Sequence, residues 1–454
     1  MPSRERGHFS FMSYIQGEGR SQGTLFPVVL DDLVPADHVC RVIDAFVEGL
    51  AMAELGFERS QAAETGRPGY DPRDLLKLYL YGYLHQLRSS RRLEAECRRN
   101  VELMWLLGRL YPDHKSIAEF RRMHRDAVTA AGAELVRLAR SVGLVRGEWI
   151  AIDGTKFRAV ASSGSVRERQ ALEKYLDSCE QADEEAQAVI DPSAVQAALD
   201  KLKQHAEPEA RPMRMAGGFA PAYNVQTAVD AEHALIVAHA VTLDAADNRQ
   251  LEPMAEAARV GVGSPALVNI VADAGYSNGE QAGRCEAAGL VPHVPANRAI
   301  NNQGDGNFFD RSRFVYQPES DSFQCPAGKT LDRKQLHREK RSVYYQAQAA
   351  DCGSCPLKPR CTAATQRILS RHMDDGALNR MHQRATPELM RLRRSTVEHP
   401  FGTLKYAIFG HPRLLLRGLS GARTEIGIGI MVYNLKRMVN LLGATRMIQA
   451  LNTA

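Results

Sequence analysis

From residue 149 onward the chain alternates apolar runs and helical stretches in an order that few folds can absorb. "WIAIDGTKFRAVAS" reads as a strand carrying a buried-looking aspartate, Asp153, followed by the turn residue Gly154. A polar, Glu-rich segment over 163–215 then intervenes and reads as a helical insertion broken at Asp191-Pro192. Strands resume in "YNVQTAVD" and "ALIVAHAVTL", joined by "AEH", which has the length of a hairpin connection. A helix over 249–260 follows, with Asp247 or Asn248 placed to cap it. "ALVNIVADAGY" is next, a continuous apolar strand ending in Asp273, and after it come a helix in "NGEQAGRCEAAG" and a strand in "LVPHVP". The order β, insertion, β, β, α, β, α, β predicts an α/β fold, a mixed sheet flanked by helices, with aspartates on its first and fourth strands.

The flanks read differently. Residues 1–148 are helical in pattern: Asp71 is an N-cap with Pro72 at the first helical position, and Ser116 with Glu119 makes a capping box. Between them the chain spells helix, turn, helix with arginines on the exposed face, Arg91 and Arg92 among them, and Arg121 and Arg122 follow Glu119 as further candidates. Such arginines contact DNA phosphates or simply solvate a helical bundle. Residues 296–392 read as a loop-rich insertion, and 393–454 as helices that complete the core, ending in the apolar "GARTEIGIGIMVYNLKRMVNLLG". The expected domains are therefore 1–148, 149–295 with the helical insertion inside it, 296–392 and 393–454.

With 454 residues the chain is long enough for several cores. Its charged start lacks a signal peptide's apolar stretch, and "IGIGIMVYNL" is too short to span a bilayer, which points to the cytoplasm. Charge is unevenly spread. From Asp321 to the end there are 22 Lys+Arg against 9 Asp+Glu, although the whole chain carries only +5, so the C-terminal third suits a polyanionic partner.

Eight cysteines in a chain of this kind argue against a disulfide framework. Cys40, Cys97, Cys179 and Cys285 are scattered among apolar or helical residues and read as packing thiols. Cys325, Cys352, Cys355 and Cys361 are clustered as C-x26-C-x2-C-x5-C, four thiolates with one close pair, which suits structural Zn²⁺. An iron–sulfur cluster or a set of reduced thiols fits the same spacing.

Three carboxylates complete the set. Asp153, Asp273 and a lone acid in a basic stretch, Glu398 in "RRSTVEHPFGTLKY", would suit two divalent ions in phosphoryl transfer, with hard oxygen ligands favouring Mg²⁺ or Mn²⁺. Singly, each has an ordinary reading as a turn, a strand end or a surface charge.

The motifs "AIDGTK", "YNVQTAVD", "VADAGY" and "VEHPFGTLK", in this order, resemble bacterial insertion-sequence transposases with an RNase H-like DDE core, and "GRPGYDPRDLLKLYLYGYLHQLRSSRRLE" resembles the helical N-terminal domain of one branch. The resemblance runs from residue 25 to 443. It implies that Asp153, Asp273 and Glu398 coordinate the catalytic metals. It also implies that Arg394, four residues before Glu398, and Lys405, seven after it, contact DNA. Many relatives place a tyrosine where this chain has Arg391, which joins Lys156 among the expected DNA contacts. The activity implied is binding of an element's terminal repeats, strand cleavage and strand transfer, by a homodimer on double-stranded DNA. A non-transposing RNase H-like nuclease and an inactive DNA-binding regulator are the alternatives.

Overall fold

The computed structural model describes residues 29–60, 69–184, 192–203, 205, 207–263, 268–296, 308–339 and 341–453. Its N-terminal part is all helical: α1 (Val39–Glu48), α2 (Pro72–Leu84), α3 (Ser90–Cys97), α4 (Val101–Leu106), α5 (His114–Met123) and α6 (Arg125–Ser141). Asp71 caps α2 as expected, its side chain accepting from the Arg73 amide, with Pro72 at the first helical position. The start of α5 falls earlier than the capping-box reading places it. Asp113 is the cap, accepting from the Lys115 and Ser116 amides, and Ser116 sits inside the first turn.

The central sheet contains β1 (Trp149–Arg158), β2 (Arg211–Met215), β3 (Gly218–Asp230), β4 (Ile236–Thr242), β5 (Val268–Val271) and β6 (Leu290–His293). Strand β1 pairs antiparallel with β3 on one side and parallel with β5 on the other; β6 extends the parallel side, and β2 and β4 both pair with β3. Helices α7 (Ser163–Glu184) and α8 (Pro192–Lys203) form the insertion after β1. Its last five residues belong instead to β2, so Asp273 follows the fifth strand, β5, and not the fourth. Asp191 lies outside the described residues. Helices α9 (Leu251–Val262) and α10 (Gly279–Ala287) link the later strands. The arrangement is broadly RNase H-like.

The segment expected to be loop-rich is a second sheet, antiparallel throughout. It comprises β7 (Val315–Gln317), β8 (Ser322–Gln324), β9 (Thr330–His337), β10 (Ser342–Ala347) and β11 (Ile368–His372), with the short helix α11 (Ala349–Gly353) after β10. It has its own small core of Phe314, Phe323, Leu331, Tyr345, Ala347 and Leu369.

The chain returns through α12 (Asp375–Arg384), α13 (Pro387–Gly402), a wider π turn over Thr403–Ile408, α14 (Gly418–Leu442) and α15 (Ala444–Thr453). Helix α14 is buried on nearly every side because it packs at once on β3 and β4 and on α2 and α6. At its N-terminal half Glu425, fully buried, accepts from the Leu415 and Leu416 amides at 2.6 and 2.8 Å, from Tyr83 Oη at 3.2 Å and from Arg88 at 3.3 Å. A buried carboxylate needs such partners, and here they come from both the helical part and the core. That ties the two together.

Candidate active site

Asp153 lies in the middle of β1, and strand alternation puts it on the same face as its partner Thr227 of β3. Asp273 follows β5, the parallel neighbour of β1, and caps a short turn by accepting from the Gly275 amide at 2.8 Å. Parallel pairing sets the two aspartates level with each other, where β5 ends and β1 continues. Helix α13 crosses here, and one nitrogen of Arg393 stands 2.6 Å from Asp153 Oδ1 and 3.3 Å from Asp273 Oδ2. Burial pushes the Asp153 carboxyl up to about 6, against the pull of Arg393 and the Gly154 amide and with the push of Asp273 and Asp247.

The opposite face of β1 is equally organised. Gly154 is no turn residue; it lies within the strand, where an added Cβ would strike the Gln226 amide and stand 2.7 Å from Asp247 Oδ1. Asp247 Oδ1 accepts from Gln226 at 2.6 Å, from Asn224 at 2.7 Å and from Lys156 at 3.4 Å. Gln226 in turn accepts the hydroxyl of Tyr276, a fully buried residue three positions after Asp273. Asp247 therefore does not cap α9, whose N-cap is Gln250. The sequence signal for it was indirect: Asn224 and Gln226 are two amides on one face of a buried strand, and buried amides need a partner.

Glu398 lies on α13, five residues beyond Arg393, and its side chain is 69% exposed, with Arg394 3.9 Å away. Pro400 lies inside this helix, and Arg394 is helical. The buried stripe of the helix runs through Thr396, Val397, Pro400 and Phe401. Arg393 precedes Val397 by four residues and so faces the sheet, whereas Arg394 and Arg391, 70% and 74% exposed, face solvent. Arg393 is thus the arginine that sequence reasoning missed. Lys405, in the π turn, is held below its usual range by burial and by Lys156, against the pull of Asp153.

Of the N-terminal arginines, Arg91, Arg92 and Arg122 are exposed. Arg121 is not: it is 5% exposed, over the Tyr79 ring and within reach of Tyr83 Oη, so it belongs to the core rather than to an exposed face. Cys325, Cys352, Cys355 and Cys361 line one cavity of about 30 Å³ under the second sheet. There the Lys329 amide donates to Cys325 Sγ at 3.3 Å, and burial and the other three thiols raise the Cys361 thiol, against Arg367. Cys40, Cys97 and Cys285 are buried among apolar residues; the side chain of Cys179 lies outside the described residues.

The ligand atoms of His38, Cys40 and Glu102 lie within 4.8 Å of one another, a donor set able to hold a metal ion. Hydrogen bonds already close it. Glu102 accepts from Tyr81 Oη at 2.7 Å, and His38 Nδ1 accepts from the Cys40 amide at 3.3 Å, which leaves the neutral ring's proton on Nε2, facing Glu102.

Residues 149–435 match the family model described as a transposase DDE domain, and residues 28–123 match one described as a transposase domain (DUF772). No curated protein matches the chain. None of the described helices is long and apolar enough to cross a membrane.

Proposed function

The chain belongs to the DDE transposases, whose model spans residues 149–435, and from that premise we propose that Asp153 and Asp273, joined by Glu398, form the reaction centre of an insertion-sequence transposase. Transposition of DNA by a metal-dependent enzyme is the activity of this family. The observation that carries the residue assignment is the meeting of Asp153 and Asp273 from two adjacent strands at one guanidinium of α13.

Asp153, Asp273 and Glu398 would hold two Mg²⁺ or Mn²⁺ ions. The donors are hard oxygens, and the Asp153 carboxyl, raised to about 6 chiefly by burial, would be held in its charged form by such cations. Glu398 shares α13 with Arg393, but its exposed side chain lies beside Arg394 on the solvent side of the helix, so joining the pair requires it to swing inward from that position. When bound, the ions favour attack by one oxygen and departure of another. The chemistry is two in-line displacements. Water attacks a phosphodiester at the element's end, and the 3′-oxygen leaves as a hydroxyl. That hydroxyl then attacks a target phosphodiester and releases a second 3′-hydroxyl.

The exposed Arg91, Arg92, Arg122, Arg391 and Arg394 are suited to phosphates, Lys405 lies in the electrostatic reach of Asp153, and Lys156 pairs with Asp247 behind β1. Joining requires two ends at once, so the working form is a homodimer on DNA. The residues through 148 bind the terminal repeats, and 149–295 with 393–454 carry the chemistry. Zn²⁺ on its four cysteines would hold the insertion over 296–392; the four line one cavity, and binding would have to draw them together, since no three of their sulfurs lie within 4.8 Å of one another.

The test is a cleavage and joining assay on labelled DNA bearing the ends that flank the native gene, with Mg²⁺ or EDTA. Metal-dependent joining is expected. Cleavage without joining would indicate a nuclease, and binding without cleavage a regulator.

A further inference from the structure

We infer that Asp247 is a positioning residue for the reaction centre: from the face of β1 opposite Asp153 it fixes Gln226, and through Gln226 and Tyr276 it sets the turn that presents Asp273. The inference rests on the reading of Asp153 and Asp273 as the metal-holding pair.

The geometry is a closed relay. An amide side chain has a donor end and an acceptor end. The donor end of Gln226 is committed to Asp247 Oδ1 at 2.6 Å, so its oxygen must face the other way, where it accepts the Tyr276 hydroxyl. Tyr276 is fully buried and ends the short turn that begins after Asp273 and that Asp273 caps. Asp247 is itself pinned by Asn224 and Lys156. A side chain at position 154 would occupy this space, which explains a glycine inside a strand beside an essential aspartate.

Direct metal binding by Asp247 is the competing role, and strand alternation argues against it. Gly154, Gln226 and Asn224 share the face that Asp247 covers, whereas Asp153 and Thr227 share the other. An outer residue of this kind acts by orienting the ligands, and loss of such a partner commonly weakens metal binding about tenfold or more.

The experiment is Mn²⁺ binding to the full chain, followed by calorimetry, with Mn²⁺ chosen because it prefers oxygen ligands to thiolates. Asp247→Ala and Tyr276→Phe should each weaken binding about tenfold, and the double variant should be no worse than the weaker single one. Asp247→Asn keeps an oxygen for both amides and should restore most of the affinity. Hydrogen exchange of the 274–277 amides, measured in EDTA, should be faster in Asp247→Ala and Tyr276→Phe than in wild type. Binding lost in Asp247→Asn as fully as in Asp153→Asn, with Tyr276→Phe unchanged, would make Asp247 a ligand and overturn the inference. Unchanged exchange in both Asp247→Ala and Tyr276→Phe would overturn it as well. If the wild-type chain bound no Mn²⁺, the reading of the centre would fail, and the exchange experiment would still decide the relay.

Discussion

Arg393 and Asp153 are joined at 2.6 Å between helix α13 and strand β1, and both side chains are largely buried, 15% and 19% exposed. The same nitrogen reaches Asp273 at 3.3 Å. One cation thus holds together two carboxylates that would otherwise repel.

Arg393→Ala should therefore destabilise the chain in EDTA by about 3 kcal/mol, the usual cost of removing one partner from a buried pair. Adding Mg²⁺ should raise the melting temperature of this variant more than that of wild type, because the ion relieves the same repulsion. Arg393→Lys keeps the charge but not the fork that spans both acids, so it should fall between. Thermal unfolding with and without Mg²⁺ checks all three.

The Asp153 carboxyl, raised by burial from an ordinary 3.8 to about 6, fixes the sign of a pH effect. Between those values the folded chain keeps a proton that the unfolded chain releases, so stability falls as pH rises through this window and levels off above it. In EDTA the loss should reach about 3 kcal/mol at most. Asp153→Asn should flatten that part of the profile, as measured by urea unfolding from pH 4 to pH 7. A stability that instead rose through the window by the same route would contradict the burial argument.

Gly154→Ala should cost about 1–3 kcal/mol, the range for an added methyl in a packed interior. It should also weaken Mn²⁺ binding, since the new Cβ would displace the Asp247 and Gln226 side chains behind the strand. An Ala variant with wild-type stability and affinity would mean that the space is easily yielded.

Elemental analysis should find one Zn²⁺ per chain beyond any ion at the carboxylates. Cys352→Ser should lose it, and limited proteolysis should then cut within 309–372 while the central sheet stays protected. The small core of the second sheet is the reason for that dependence, since six buried residues seal little apolar area.

Five of the six strands of the central sheet were legible because buried strands are continuous apolar runs, in which Asp153 and Asp273 stand out as exceptions; the short, polar β2 was not, and reads as part of the insertion. The second sheet was not. Strand β9, with Asp332, Arg333, Lys334 and Gln335 all exposed, offers no apolar alternation to read. Gly154 was misread because an Asp-Gly pair usually turns; only the distant Asp247 explains its place in a strand. Asp247 reads, with Asn248, as one of two candidates for a local cap because its true partners, Asn224 and Gln226, are distant in sequence. Adjacent arginines were the hardest to sort. One position rotates a helical side chain by about 100°, enough to bury Arg121 and expose Arg122, and to aim Arg393 at the sheet and Arg394 at solvent.

The most direct test of the central claim uses pre-cut DNA ends with a free 3′-hydroxyl, supplied with target DNA and Mg²⁺ to wild type, Asp153→Asn and Asp273→Asn. All three chains should bind the ends equally by mobility shift, and only wild type should join them. Joining by either variant at a rate near that of wild type would show that the Asp153 and Asp273 pair is not the reaction centre.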